Sequence, residues 1–137
     1  MRIYIDACIL IAAFKGKEIN IYQQLFKLLD DPKRTLVVSD FLRLEVLPKP
    51  TYHKRKEEIK FMELVLDSAE KLETTNNIVL TAIKLASKYD LTPIDALHAG
   101  AAFVGEVDEF ITLEKPDKPL CQVKEIKVIS LHSASSQ

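Results

Sequence analysis

The sequence predicts an α/β fold, a three-layer α/β/α sandwich with a central parallel sheet of four or five strands between helices. Three observations carry that expectation. Short apolar or β-branched runs at residues 3–5, 35–38, 109–113 and 127–131 have the length of strands buried on both faces. The segments between them place apolar residues at helical spacing. The two patterns alternate along the chain, and parallel neighbours need such crossovers to connect them.

Ile3, Tyr4 and Ile5 make the first expected strand, and residues 9–14 begin an apolar helix. Asp6 interrupts the apolar run at the strand's C-terminal end, where open α/β sheets bind ligands. Residues 18–30 carry an approximate helical stripe that includes Ile21, Leu25, Leu28 and Leu29, and Asp31-Pro32 stops it. Thr35-Leu-Val-Val38 is the second strand. Ser39 is placed to cap a helix reaching about Leu47, which Pro48 and Pro50 end. From Tyr52 the run His53-Lys-Arg-Lys-Glu-Glu58 leads into an amphipathic helix through Leu66. A third strand is expected at residues 71–75, with Asn76 or Asn77 capping the next helix. Ile78, Ala82, Leu85, Ala86 and Tyr89 recur there at helical spacing. Thr92-Pro-Ile-Asp95 opens a helix of small residues to about Val104, and strands at 109–113 and 127–131 follow. One domain over residues 1–131 is expected, then a polar tail at 132–137 that frays at its end.

The chain has 137 residues, 47% of them hydrophobic, enough for one sizeable core. No apolar run approaches the ~18 residues of a membrane span, and Asp6 breaks the apolar core a signal peptide needs, so the expected location is the cytoplasm. Cys8 and Cys121 match neither a disulfide framework nor a paired-thiol zinc site and read as small core residues. With a net charge of -1, a polyanion would have to be held by a local basic patch or through metal ions. Gly16, Gly100 and Gly105 are the only glycines, which excludes the glycine-rich dinucleotide and P-loop motifs.

Three acids stand where a surface charge is not expected. Asp6 ends a buried strand, Glu45 lies in the apolar Phe41-Leu-Arg-Leu-Glu-Val-Leu47 at the start of a helix, and Asp95 lies in the first turn of a small-residue helix. In a parallel sheet all three can converge at its C-terminal edge. Each also has a structural reading. Asp6 can cap the following helix. Asp95 is the fourth position of Thr-x-x-Asp, a capping-box variant with Pro93 at the first helical position. Glu45 can face solvent.

Ile5-Asp-Ala-Cys-Ile-Leu-Ile-Ala, Ser39 followed by Glu45 after five residues, and Leu91-Thr-Pro-Ile-Asp-Ala-Leu-His-Ala-Gly-Ala-Ala102 resemble the PIN domain family over about residues 1–131. The resemblance implies a PIN-like sandwich and a metal-dependent ribonuclease that hydrolyses RNA phosphodiester bonds. Such proteins are often the toxins of toxin-antitoxin pairs, restrained by a cognate antitoxin, and frequently homodimers. It places Asp6, Glu45 and Asp95 at the three principal acidic positions. A fourth acid usually follows the fourth strand in a Thr-x-Asp pattern. Here Thr112-Leu-Glu114 puts Glu114 at that position, with Asp117 the poorer candidate. Cys8 stands where the family often has a small hydroxyl or amide residue, and a thiol is a poor magnesium ligand.

Crowded carboxylates need a cation, because two unit charges ~4 Å apart repel by roughly 4 kcal/mol at an effective dielectric of 20. Oxygen-only ligands favour Mg2+ or Mn2+. His98, three residues after Asp95, reads either as an acid-base group or as a buried packing histidine. Thr112 either holds a ligand by its hydroxyl or merely suits a strand end. Lys15, Lys17, Arg43, Lys49, Lys54, Arg55 and Lys56 are available to RNA, although a charge run is usually a solvated face. Two other functions stay open: a catalytically weakened PIN-like module that binds RNA or a protein, and an unrelated α/β phosphoryl-transfer domain. Cys8 argues against a haloacid-dehalogenase-type phosphatase, which needs a second aspartate there. Asp95, opening a helix, argues against a phospho-receiver.

Overall fold

Alternation of side chains along the first strand divides the molecule into two cores. In the computed structural model, which describes residues 1–16 and 19–132, β1 (Arg2–Ile5) points Ile3 and Ile5 to one face of the sheet and Tyr4 to the other. All three are essentially inaccessible to solvent. Leu36 and Val38 of β2 (Thr35–Val38) repeat the first direction and Val37 the second. Apolar residues on both faces are what a doubly covered parallel sheet requires.

The sheet has five parallel strands in the order β3-β2-β1-β4-β5, with β3 at Glu70–Lys71, β4 at Glu109–Thr112 and β5 at Val128–Ser130. Ile3 pairs with Leu36 and Tyr4 with Phe110, so β1 lies at the centre. Helices α1 (Ala7–Lys15), α2 (Ile19–Asp30), α3 (Asp40–Val46) and α5 (Lys56–Asp67) bury Leu10, Leu25, Leu42 and Met62 against the first face. Helices α6 (Asn76–Tyr89) and α7 (Pro93–Val104) cover the second with Ile78, Leu85 and the alanines of α7. The three-layer sandwich expected from the sequence is the fold observed.

Two glycines serve the helices. Gly16 ends α1 in the left-handed conformation, φ 64°, which glycine adopts without strain. Gly100 lets α7 approach α6: a Cβ there would stand 2.8 Å from the Ile78 carbonyl oxygen. The small-residue run of α7 is therefore a packing device, and it brings Asp95 and His98 close to the sheet.

Several elements differ from the expectations. The third strand is Glu70–Lys71, not residues 71–75, and it is an exposed two-residue edge paired only with β2. Thr74 and Thr75 are diverted to other work: Thr74 donates to Asp40, and Thr75, not Asn76 or Asn77, caps α6 by accepting from the Ile78 amide. Pro48 follows the end of α3 but also opens a short helix α4 (Pro48–Tyr52), occupying the first-turn position where a missing N–H costs nothing. Glu45 lies in the last turn of α3, not at its start, because α3 has only seven residues. Cys8 and Cys121 are half-buried free thiols rather than full core residues. The expected start of α2 at Glu18, the candidate RNA contact Lys17, the side chain of Ile19 and the tail at 133–137 lie outside the described residues. No described helix is long and apolar enough to cross a membrane.

Candidate metal centre

In the strand order, chain connections leave β1 toward β2 on one side, while β4 lies on the other. That reversal opens a crevice at the C-terminal ends of β1 and β4. Asp6 follows β1 directly, is 6% exposed, and caps α1 by accepting from the Ala7 amide at 2.7 Å through Oδ1. Its Oδ2 accepts from the Thr112 hydroxyl at 2.9 Å, across the crevice from the end of β4. The capping reading of Asp6 is thus correct, and each oxygen still has a lone pair for another partner. Thr112, fully buried, also accepts from the Glu114 amide at 3.1 Å. Its hydroxyl therefore orients Asp6 and ties it to the turn that carries Glu114.

Glu45 reaches the same place from α3, and its carboxylate meets His98 Nε2 of α7. Ligand-type atoms of Asp6, Glu45 and His98 all lie within 4.8 Å of one another. At that separation the two carboxylates repel by roughly 3 kcal/mol at an effective dielectric of about 20. Among the described residues, no lysine or arginine forms an ion pair with Asp6, Glu45, Asp95 or Glu114. Hard oxygen donors crowded without a basic counterion suit a divalent cation such as magnesium or manganese.

Asp95 and Glu114 stand beside this group, not within it. Burial raises the Asp95 carboxyl above its ordinary value, and the negative charges of Asp6 and Glu114 raise it further, so the three acids share one field. Asp95 is also the third residue of α7, where its amide donates to the capping Thr92 hydroxyl at 3.4 Å; it has both the capping and the site position. Asp117 is exposed, and its carboxylate forms none of the site's hydrogen bonds. Cys8 accepts from the Leu113 amide at 3.3 Å and lies 3.7 Å from the Thr112 hydroxyl. Burial, helped by the Asp6 charge, pushes its thiol pKa up to about 12, so it remains protonated near neutral pH.

His98 is completely buried and both of its ring nitrogens have partners, Glu45 at Nε2 and the Tyr4 hydroxyl at Nδ1, 2.6 Å away. The packing-histidine reading describes its burial and misses its contact with Glu45. Tyr4 and Ser39 were also missed as site residues: the Ser39 hydroxyl caps α3 and lies 2.5 Å from the Tyr4 hydroxyl. One signal was present in the sequence, a phenol inside an otherwise aliphatic buried strand, since a buried tyrosine hydroxyl needs a partner.

Solved structures share this architecture. A chain in the structure of VapBC2 from Rickettsia felis, bound to a DNA fragment from its promoter, superposes with a TM-score of 0.76 at 15% identity, covering 95% of this chain and 98% of that one. A toxin-antitoxin complex from Klebsiella pneumoniae gives 0.71 at 20% identity, covering 93% and 95%. VapBC-1 from nontypeable Haemophilus influenzae gives 0.70 at 18% identity, covering 95% and 98%. At such identities the likeness is one of fold. No curated protein matches the chain. Residues 3–115, which contain all four acids and the histidine between them, match the PIN domain family model, and the chain belongs to the PIN domain family.

Proposed function

We propose that the protein is a Mg2+- or Mn2+-dependent endoribonuclease, hydrolysing RNA phosphodiester bonds, and the toxin of a type II toxin-antitoxin pair acting in the cytoplasm. The observation that carries this reading is the convergence of Asp6 and Glu45, with Asp95 and Glu114 beside them, without a lysine or arginine counterion among the described residues. Asp6, Glu45 and Asp95 would hold the ion, and Glu114 would complete the acidic ring. A bound divalent cation supplies neutralisation of the substrate phosphate and acidification of an attacking water. The chain's own residues hold the carboxylates in place: the Ala7 amide and Thr112 fix Asp6, His98 fixes Glu45, and the Thr92 cap fixes the start of α7. No side-chain nucleophile is required, and the protonated Cys8 would not serve as one.

RNA as substrate draws support from the segment just after Glu45. Lys49, Lys54 and Lys56 are exposed, and Tyr52 between them is 83% exposed. Cations for phosphates and an aromatic face for a base suit a single strand. Arg43 and Arg55 instead face Asp67 and Glu58. The toxin role draws support from the complexes that share the fold, and a homodimer from the exposed apolar residues Val79, Leu80 and Ile83 on α6. Growth arrest on expression, relieved by a co-expressed antitoxin, is the result expected of a toxin.

The enzymatic reading is tested by incubating an RNA panel with the purified protein under titrated Mg2+, Mn2+ and excess chelator. Cleavage that appears with metal and stops with chelator is expected. A second reading, a PIN module that binds without cutting, is favoured by Cys8 and by Glu114 lying outside the innermost cluster. It predicts neither cleavage nor stabilisation by metal.

A further inference from the structure

With a neutral His98 ring, the hydrogen bonds behind Glu45 have one direction that gives every buried proton an acceptor. The Leu42 amide donates to Ser39 Oγ at 3.3 Å, so Ser39 accepts on that side. Ser39 is 3% exposed, and among the described residues the Tyr4 hydroxyl, 2.5 Å away, is the acceptor available to its own proton. Tyr4 oxygen then accepts, and its proton goes to the remaining partner, His98 Nδ1 at 2.6 Å. A ring whose Nδ1 accepts carries its proton on Nε2, where it faces the Glu45 carboxylate. The opposite tautomer would aim a bare Nε2 lone pair at that carboxylate and leave one of the two buried hydroxyl protons, on Ser39 or on Tyr4, without an acceptor. Every group in the chain is buried except Glu45.

We propose that Ser39, Tyr4 and His98 form a one-way hydrogen-bond relay whose role is to hold the Glu45 carboxylate opposite Asp6, ready for the divalent cation. His98 is then a positioning residue and not a third ligand, although its Nε2 lies within ligand distance of the cluster. The need for such a device follows from where Glu45 sits. It projects from the last turn of a seven-residue helix and is one third exposed, and without the relay its side chain would be free to turn into solvent. Tyr4 precedes Asp6 by two residues, so the central strand sets both carboxylates, Asp6 directly and Glu45 through the Tyr4 phenol and His98. The proposal rests on the metal-site reading above, but the tautomer it requires does not.

Two measurements test it. In the metal-free wild-type protein, long-range 1H–15N correlation spectra of His98 should show a protonated Nε2 and an unprotonated Nδ1; a proton on Nδ1 overturns the relay. Mn2+ titration calorimetry should then show Tyr4→Phe binding about ten- to a hundredfold more weakly, the usual cost of removing an outer-shell partner. Its circular dichroism should be unchanged, because the phenylalanine ring keeps the stacking on Phe110. His98→Gln, whose amide can still donate to Glu45, should retain more Mn2+ affinity than His98→Ala. A folded Tyr4→Phe that binds Mn2+ as tightly as the parent overturns the positioning role. A wild-type protein that binds no Mn2+ overturns the metal-site reading instead, and the His98 tautomer still decides the relay.

Discussion

Asp6 and Glu45 meet in one crevice but are held there in opposite ways. Asp6 sits on the strand-to-helix turn, where one bond is to the next residue's amide and the other is to Thr112 on the adjacent strand. Glu45 has no local anchor in the site among the described residues; its partner, His98, is 53 residues away, and the phenol behind His98 lies 94 residues before that histidine. One carboxylate is placed by backbone geometry and the other by tertiary packing. Loss of a supporting group should therefore be tolerated better around Asp6 than around Glu45.

The largest expected effect comes from removing the charge without disturbing the support. Glu45→Gln keeps an oxygen for His98 Nε2–H, so the fold should remain while metal-dependent cleavage falls by about a hundredfold or more, the equivalent of several kcal/mol of transition-state stabilisation. Single-turnover assays at saturating metal would measure it. Thr112→Val is expected to act less on metal binding than Tyr4→Phe, because Asp6 keeps the Ala7 amide. A fall of no more than about tenfold in Mn2+ affinity is expected. It should nevertheless lower stability by about 1 to 3 kcal/mol, since the Glu114 amide and Asp6 Oδ2 lose a buried partner. Denaturant titration separates the two effects, and a larger affinity loss in Thr112→Val than in Tyr4→Phe would reverse the comparison.

A third effect concerns pH. Asp95 has its carboxyl raised in the fold, so the native state binds more protons than the unfolded chain across that interval. In the metal-free protein its contribution makes stability fall as pH rises from the ordinary aspartate value of 3.8 through the raised one. Asp40, Glu70 and Glu125, with lowered values, contribute in the other sense. The Asp95 share is therefore read as the difference between wild type and Asp95→Asn in melting temperature against pH. Adding Mg2+ or Mn2+ should reverse the trend, stabilising wild type more than Asp95→Asn as pH rises, because the ion binds the deprotonated carboxylate. The smallest effect is expected from Cys8→Ser: the hydroxyl can still accept from the Leu113 amide, and stability should move by no more than about 1 kcal/mol.

The same contrast explains what the sequence made legible. Asp6 was readable because its strand, its turn and its helix are contiguous, and Asp95 because Thr92 and Pro93 mark the helix start beside it. Asp6 does cap α1 and the Asp95 amide does serve the Thr92 cap, and neither role competes with the proposed place of these carboxylates in the metal site. Glu45 was nominated, but neither its place in the last turn of α3 nor its contact with His98 follows from local spacing. The relay needs Ser39, Tyr4 and His98, which three different elements supply and only the closed sheet brings together. The third strand was misplaced for a related reason: two exposed residues at a sheet edge carry no hydrophobic pattern, and pairing with β2 alone defines them.

Metal-dependent cleavage of RNA is the property proposed for the acidic crevice, and it can be measured directly. Cleavage of the same RNA should be compared for wild type and Asp6→Asn, in Mn2+ and in excess chelator, with both proteins shown to be folded. Asparagine still offers an oxygen to the Ala7 amide, so the turn should survive. Cleavage by wild type in Mn2+, and none from Asp6→Asn or from either protein in chelator, is the predicted result. Equal cleavage by the two proteins in Mn2+ would contradict it.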